Sequence, residues 1–207
     1  MNRVLERETN RWIRLAALTG SRTRTREQLI QLLPASPHPL RPAPILAPAD
    51  PDRLRVVEQY APALKLTGDL KRGAATFGKL CLACHYLQGH GQRVGPDLSG
   101  IASRPAEALL IDVLDPSRQV VPEYAAYEVQ LKSGETMIGL FASETDTRIT
   151  LRRPGSPDEN FPRTQVQALR PTGKSLMPDG LESGLTQADL ADLLAFLQRP
   201  DGSLLPP

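Results

Sequence analysis

No apolar run in this 207-residue chain reaches the length of a membrane-spanning helix, so the sequence offers no transmembrane segment. An excess of one charge is also missing. With 25 basic and 23 acidic residues the net charge is only +2, which gives no reason to expect nucleic acid or an anionic membrane surface as partner. The arginines among the first 26 residues are interleaved with Glu6 and Glu8, the pattern of a solvated helix face. Met1 to Asn10 lacks the apolar core and cleavage site of an export signal. Metal-binding side chains are scarce: two cysteines and three histidines. A zinc site would have to add two ligands from His38, His90 or carboxylates at irregular spacing, and a thioredoxin-like thiol pair would need a βαβ setting that the sequence does not offer.

What is present is concentrated. Both cysteines fall in Cys81-Leu82-Ala83-Cys84-His85, a CxxCH run. Two thiols three positions apart and an adjacent imidazole form the attachment signature of c-type haem: each sulfur adds to one vinyl group, and the histidine stands as proximal iron ligand. Haem c with its iron is the implied cofactor. Thioether formation in bacteria takes place outside the cytoplasmic membrane, which conflicts with a start at Met1 that carries no signal. The expectation is an exported protein, periplasmic or at the cell surface, with its export signal upstream of this chain.

The patterning divides the chain into four parts. In residues 1–33, Leu5, Trp12, Leu15, Leu18, Leu29 and Leu33 recur at helical spacings around a break at Thr19-Gly20-Ser21 and read as a solenoid-like helical remnant. Residues 34–66 read as a linker, because seven prolines between Pro34 and Pro51 remove backbone donors too often for regular structure, although Leu54 to Tyr60 could form a turn of helix. Residues 67–123 plus 172–207 read as a small all-α, cytochrome c-like haem body. Thr67 or Asp69 caps its first helix, Ala106 to Leu114 forms a short one, and Thr186 to Asp189 opens a last helix with the stripe Leu190, Leu193, Leu194 and Leu197. The first and last helices are expected to cross at Gly73, with Phe77 and Phe196 at the contact.

Residues 124–171 change period. Tyr127, Val129 and Leu131 alternate with polar residues, Ser133-Gly134 makes a turn, and further short strands follow to Leu169. This is a five-stranded antiparallel insertion, a small barrel or curled sheet, and the fold class is α+β.

Two more residues carry site chemistry. Pro96, in Gly95-Pro96-Asp97-Leu98, is spaced so that its carbonyl can accept a hydrogen bond from His85 Nδ1; a plain turn proline is the alternative. Met177, in a proline- and glycine-held loop before the last helix, is the best sixth ligand. His90 is tethered too close to His85 to reach the far face, and Met137 falls within a strand. The alternative for Met177 is a gap-filling side chain over the haem.

The segments CLACH, VGPDLSGI, LLIDVLDPS, YAAYEVQLKSGETMIGLF and SLMPDGLESGLTQADLADLLAFL resemble, in order and spacing, the haem-binding domain found in planctomycete and verrucomicrobial proteins. The resemblance covers about residues 67–198. It implies a class I cytochrome c-like fold with a β insertion, found at the C-terminus of large exported proteins, with Cys81 and Cys84 as thioethers, His85 proximal and Met177 distal.

Three functions follow for comparison. The first is electron transfer between an upstream dehydrogenase domain and a redox partner protein, with no substrate transformed by this segment. The second is a haem-based peroxidase or a gas or redox sensor in which Met177 dissociates. The third is a docking module built on the inserted sheet, where Lys132, Arg148, Arg152 and Arg153 would meet a partner.

Overall fold

The computed structural model of the chain describes residues 50–206. The helical remnant expected over 1–33, and the linker as far as residue 49, lie outside the described residues. Asp50 caps helix α1 (Pro51–Tyr60) by accepting a hydrogen bond from the Asp52 amide at 2.9 Å, and Pro51 occupies the first turn, where its missing N–H has no helical partner to lose. A 3-10 turn, Ala61–Lys65, follows. The linker expected over 34–66 therefore gives way to helix by Pro51. Its last prolines fall at helix starts, where they are tolerated, and Tyr60 and Ala63 are buried in the core.

Helix α2 (Leu70–Leu80) is capped by Asp69, whose side chain accepts from the Arg72 amide at 2.9 Å, and it buries Gly73, Ala74 and Phe77 on one face. Helix α3 spans Ala106–Leu114. Helix α4 (Gln187–Gln198) opens on a capping box in which Thr186 Oγ1 accepts from the Asp189 amide and Asp189 accepts in return from the Thr186 amide.

Helices α2 and α4 cross at Gly73, so closely that a Cβ there would lie 2.0 Å from the Asp192 carbonyl oxygen. The Phe77 and Phe196 rings meet beside the crossing, with centroids 5.4 Å apart and planes tilted by 51°. Asp192 closes the contact. Its buried carboxylate accepts from the Asp69 amide at 2.6 Å and from Arg72 Nε at 2.6 Å, so one side chain of α4 satisfies both the start of α2 and a guanidinium on it. Phe77, Leu110, Leu114, Leu190, Leu193 and Phe196 belong to the single core of this helical body.

A two-residue hairpin, β1 (Tyr86–Leu87) with β2 (His90–Gly91), follows the CxxCH turn. The larger sheet holds β3 (Ala125–Leu131), β4 (Thr136–Glu144), β5 (Arg148–Arg152), β6 (Glu159–Pro162) and β7 (Val166–Ser175), all antiparallel, in the order β6-β5-β4-β3-β7. Val129, Leu131, Met137 and Leu151 form its own small core. The last strand runs past the expected boundary at residue 171. Pro171 pairs opposite Tyr127 on an edge strand, where a missing N–H is tolerated, and Thr172 Oγ1 donates to the Ala126 carbonyl at 3.0 Å across a register shift. Strand β7 thus ends at Ser175, two residues before Met177.

Candidate functional site

Helix α2 stops at Leu80 and leaves Cys81 as its C-cap; the Cys84 and His85 amides both donate back to the Cys81 carbonyl, at 3.0 and 2.8 Å. This tight turn presents three donor side chains over a few residues. The next segment is folded onto it by the Val94 and Gly95 amides, both of which donate to the Cys84 carbonyl.

His85 Nδ1 lies 2.9 Å from the Pro96 carbonyl oxygen. A carbonyl only accepts, so Nδ1 carries the proton and Nε2 keeps its lone pair. Burial lowers the His85 pKa, against the opposing pull of the Pro96 bond, and so favours the neutral ring that a metal requires. Gly95 explains why the ring can lie where it does: a Cβ there would stand 2.7 Å from His85 Cε1 and 2.9 Å from Nδ1. Gly95→Ala is therefore expected to push the imidazole off the Pro96 carbonyl. The His85 ring resonances should broaden or shift, and stability should fall by about 1–3 kcal/mol, as overpacking does; unchanged resonances for His85 would contradict the reading.

Burial, with a smaller contribution from Cys84, pushes the Cys81 thiol up to about 12, and burial also raises Cys84. Thiols held protonated are poor partners for thiol–disulfide exchange. Among the described residues no group of three or more His, Cys, Asp or Glu side chains converges as a metal cluster, so the extra ligands a zinc site would need are not assembled.

Cys81, Cys84, His85, Pro96 and Met177 all line one cavity of about 880 Å³, inside the size range of cofactor pockets. Phe77, Leu98, Leu109 and Leu197 supply apolar wall from the helical body. The other two methionine and histidine candidates stand elsewhere. Met137 is buried in the sheet core, and His90 Nδ1 donates to the Pro206 carbonyl at 3.0 Å and does not line the cavity. The Met177 loop is held by its own backbone: Met177 N donates to Ser175 Oγ, Ser175 N to Ser117 Oγ, and Leu176 N to the Tyr124 carbonyl.

Sequence reasoning missed three contributors. Tyr124 and Leu140 line the cavity from the edge of the sheet and from β4, so the sheet forms part of the wall. Asp115, read only as a helix stop, is 4% exposed and also lines the cavity; its Oδ2 finds no hydrogen-bond partner, and burial raises its pKa, which favours the neutral acid. The Asp115-Pro116 pair was the only signal available for it.

The donor set suits a porphyrin better than a bare ion: two protonated thiols on one turn, one oriented neutral imidazole, one thioether and largely apolar walls. Residues 70–123 match the family model for cytochrome c, the family of covalent-haem electron carriers, and Cys81 and Cys84 fit its CxxCH motif. The match ends just before β3. No curated protein matches the chain. No helix among the described residues is long and apolar enough to cross a membrane.

Proposed function

We propose that the haem body, residues 67–123 with 172–207, is a single-electron relay with His85 and Met177 as axial ligands, serving as the C-terminal module of a larger exported oxidoreductase. The observation that carries this reading is that His85 and Met177 line the same cavity as both cysteines, although they lie far apart in the chain. Haem bound there supplies a one-electron couple.

The remaining work falls to the protein. Cys81 and Cys84 would tether the porphyrin edge. Pro96 holds His85 Nδ1–H, which orients the ring and makes Nε2 more basic. Met177 would offer a thioether, a soft donor that favours the reduced metal and so raises the potential. The largely apolar walls would lower the polarity around the metal, which works in the same direction. With both His85 and Met177 bound, the metal would have no open position for substrate, which is why electron transfer is preferred to peroxidase or sensor chemistry. The inserted sheet, residues 124–171 with the end of β7, contributes wall and leads directly into the Met177 loop, which supports a pocket-shaping role over a purely separate docking unit.

Spectra of oxidised and reduced haem protein test the assignment. Wild type is expected to be low-spin with a sulfur-to-iron charge-transfer band. Met177→Ala should lose that band and drop in potential by on the order of hundreds of millivolts, within the roughly 0.8 V that haem ligand sets span. A high-spin wild type that binds carbon monoxide or cyanide rapidly would sink the relay reading in favour of the enzyme or sensor.

A further inference from the structure

The segment that carries Met177 runs from the end of β7 to the start of α4, and its second half is tied to α1, outside the region where haem chemistry is expected. Arg53 is the centre of this tie. Its Nη1 and Nη2 donate to Glu182 Oε1 and Oε2 at 2.9 and 3.0 Å, a two-point pair, while its Nε donates to the Leu114 carbonyl at the end of α3 at 2.7 Å. Both side chains are only 12% exposed, so the pair is poorly screened and either charge left alone would be poorly solvated. Two further bonds join the same elements: the Tyr60 hydroxyl donates to the Leu185 carbonyl at 2.8 Å, and Gln187 Nε2 donates to the Gln59 carbonyl at 2.7 Å.

The methionine loop is thus anchored on two sides. Ser175 and Leu176 hold it to residues 117 and 124, and Glu182, Leu185 and Gln187 hold it to α1. A swing of the loop backbone that carries Met177 out of the cavity strains both sides. The first side consists of neutral hydrogen bonds at 3.1–3.4 Å, and the second contains the largely buried charge pair.

We infer that Arg53 is a positioning residue for Met177: its grip on Glu182 sets how readily the sulfur leaves the metal. This rests on Met177 being the distal ligand. Removing the guanidinium leaves the Glu182 carboxylate without its cation at a site with little water, so states in which the loop swings out become more populated.

The test uses haem-loaded full-length protein, oxidised, at fixed pH. The rate at which saturating cyanide displaces the sulfur is measured for wild type, Arg53→Gln, Arg53→Lys, Glu182→Gln and Tyr60→Phe, with Met177→Ala and Arg72→Gln in parallel. Arg53→Gln is expected to keep the sulfur-to-iron band and to bind cyanide about tenfold faster or more, as loss of a largely buried charge pair implies. Arg53→Lys should fall between wild type and Arg53→Gln, since lysine restores charge but not the fork. Glu182→Gln should be accelerated like Arg53→Gln, and Tyr60→Phe by less; these two serve if the Arg53 variants do not accumulate.

Arg72→Gln breaks the Asp192 pairing at the α2–α4 crossing and so lowers global stability without touching the loop. It should leave the rate within about twofold of wild type. A rate unchanged in Arg53→Gln and Glu182→Gln, or raised equally in Arg72→Gln, overturns the inference. If instead Met177→Ala retains the wild-type spectrum, the ligand assignment itself is wrong, and the two failures are told apart by that one spectrum.

Discussion

Chain produced without attached haem is expected to lose its cooperative fold. Without haem, the apolar side chains around the cavity of about 880 Å³ lack partner atoms on one side, and a void left by a single large core side chain already costs about 2–5 kcal/mol. A loss of a few such side chains' worth is comparable with the whole stability of an ordinary domain. The helical body cannot make up the difference with its own core, because Cys81, Leu98 and Leu109 face the cavity as well as their neighbours. Protein expressed without the attachment machinery should therefore show native-like far-ultraviolet circular dichroism, a collapsed near-ultraviolet signal and no sharp denaturant transition. An apoprotein that unfolds in a single steep transition within about 1 kcal/mol of the haem-loaded form would show that the cavity is not a structural debt.

Gly73→Val should be the most damaging single substitution in the helical body. A Cβ alone would stand 2.0 Å from the Asp192 carbonyl oxygen and 2.8 Å from Phe196 Cβ, both parts of a buried helix that cannot retreat without breaking the Asp192 bonds to Asp69 and Arg72. The cost is about 3 kcal/mol or more, at or beyond the upper end of ordinary overpacking. Gly78→Ala, on the same helix, provides the contrast. Its nearest neighbour is Cδ of the exposed Pro206 ring at 3.3 Å, a contact that a shift of a few tenths of an ångström in that ring relieves. Replacing a helical glycine there should stabilise by up to about 1 kcal/mol. Chemical unfolding of the two haem-loaded variants measures both, and similar midpoints for the pair would mean that α2 and α4 do not cross at Gly73.

Local rules made much of this fold legible. The bounds of α3, the capping box of α4 and the five strands follow from patterns contained within a few residues, and the α2–α4 crossing could be read from a glycine placed one turn before an aromatic. The CxxCH turn marks the cavity because its chemistry is packed into five adjacent residues. What escaped the sequence depends on partners remote along the chain. Helix α1 could be read only as a turn of helix, Leu54 to Tyr60, within a linker, since the side chains that fasten it, Arg53 and Tyr60, reach residues more than a hundred positions away. Asp192 lies outside the leucine stripe and no local pattern marks it, yet it is 2% exposed because it serves the amide and guanidinium of another helix. The reach of β7 beyond Pro171 was hidden because proline ends strands in the interior of a sheet but not at its edge.

The two ends of the sheet are joined: Ala125 pairs with Ser175, and the Leu176 amide reaches the Tyr124 carbonyl. The chain leaves the helical body and returns to it through one stitched neck. Ser133-Gly134 turns at the opposite end of β3, where even an added Cβ on Gly134 would meet nothing within 4 Å. Lengthening that tip costs little, about 0.6 kcal/mol per doubling of a flexible loop. A peptide tag or a second folded module spliced there would ride on the redox unit while leaving the neck, and the methionine just beyond it, undisturbed.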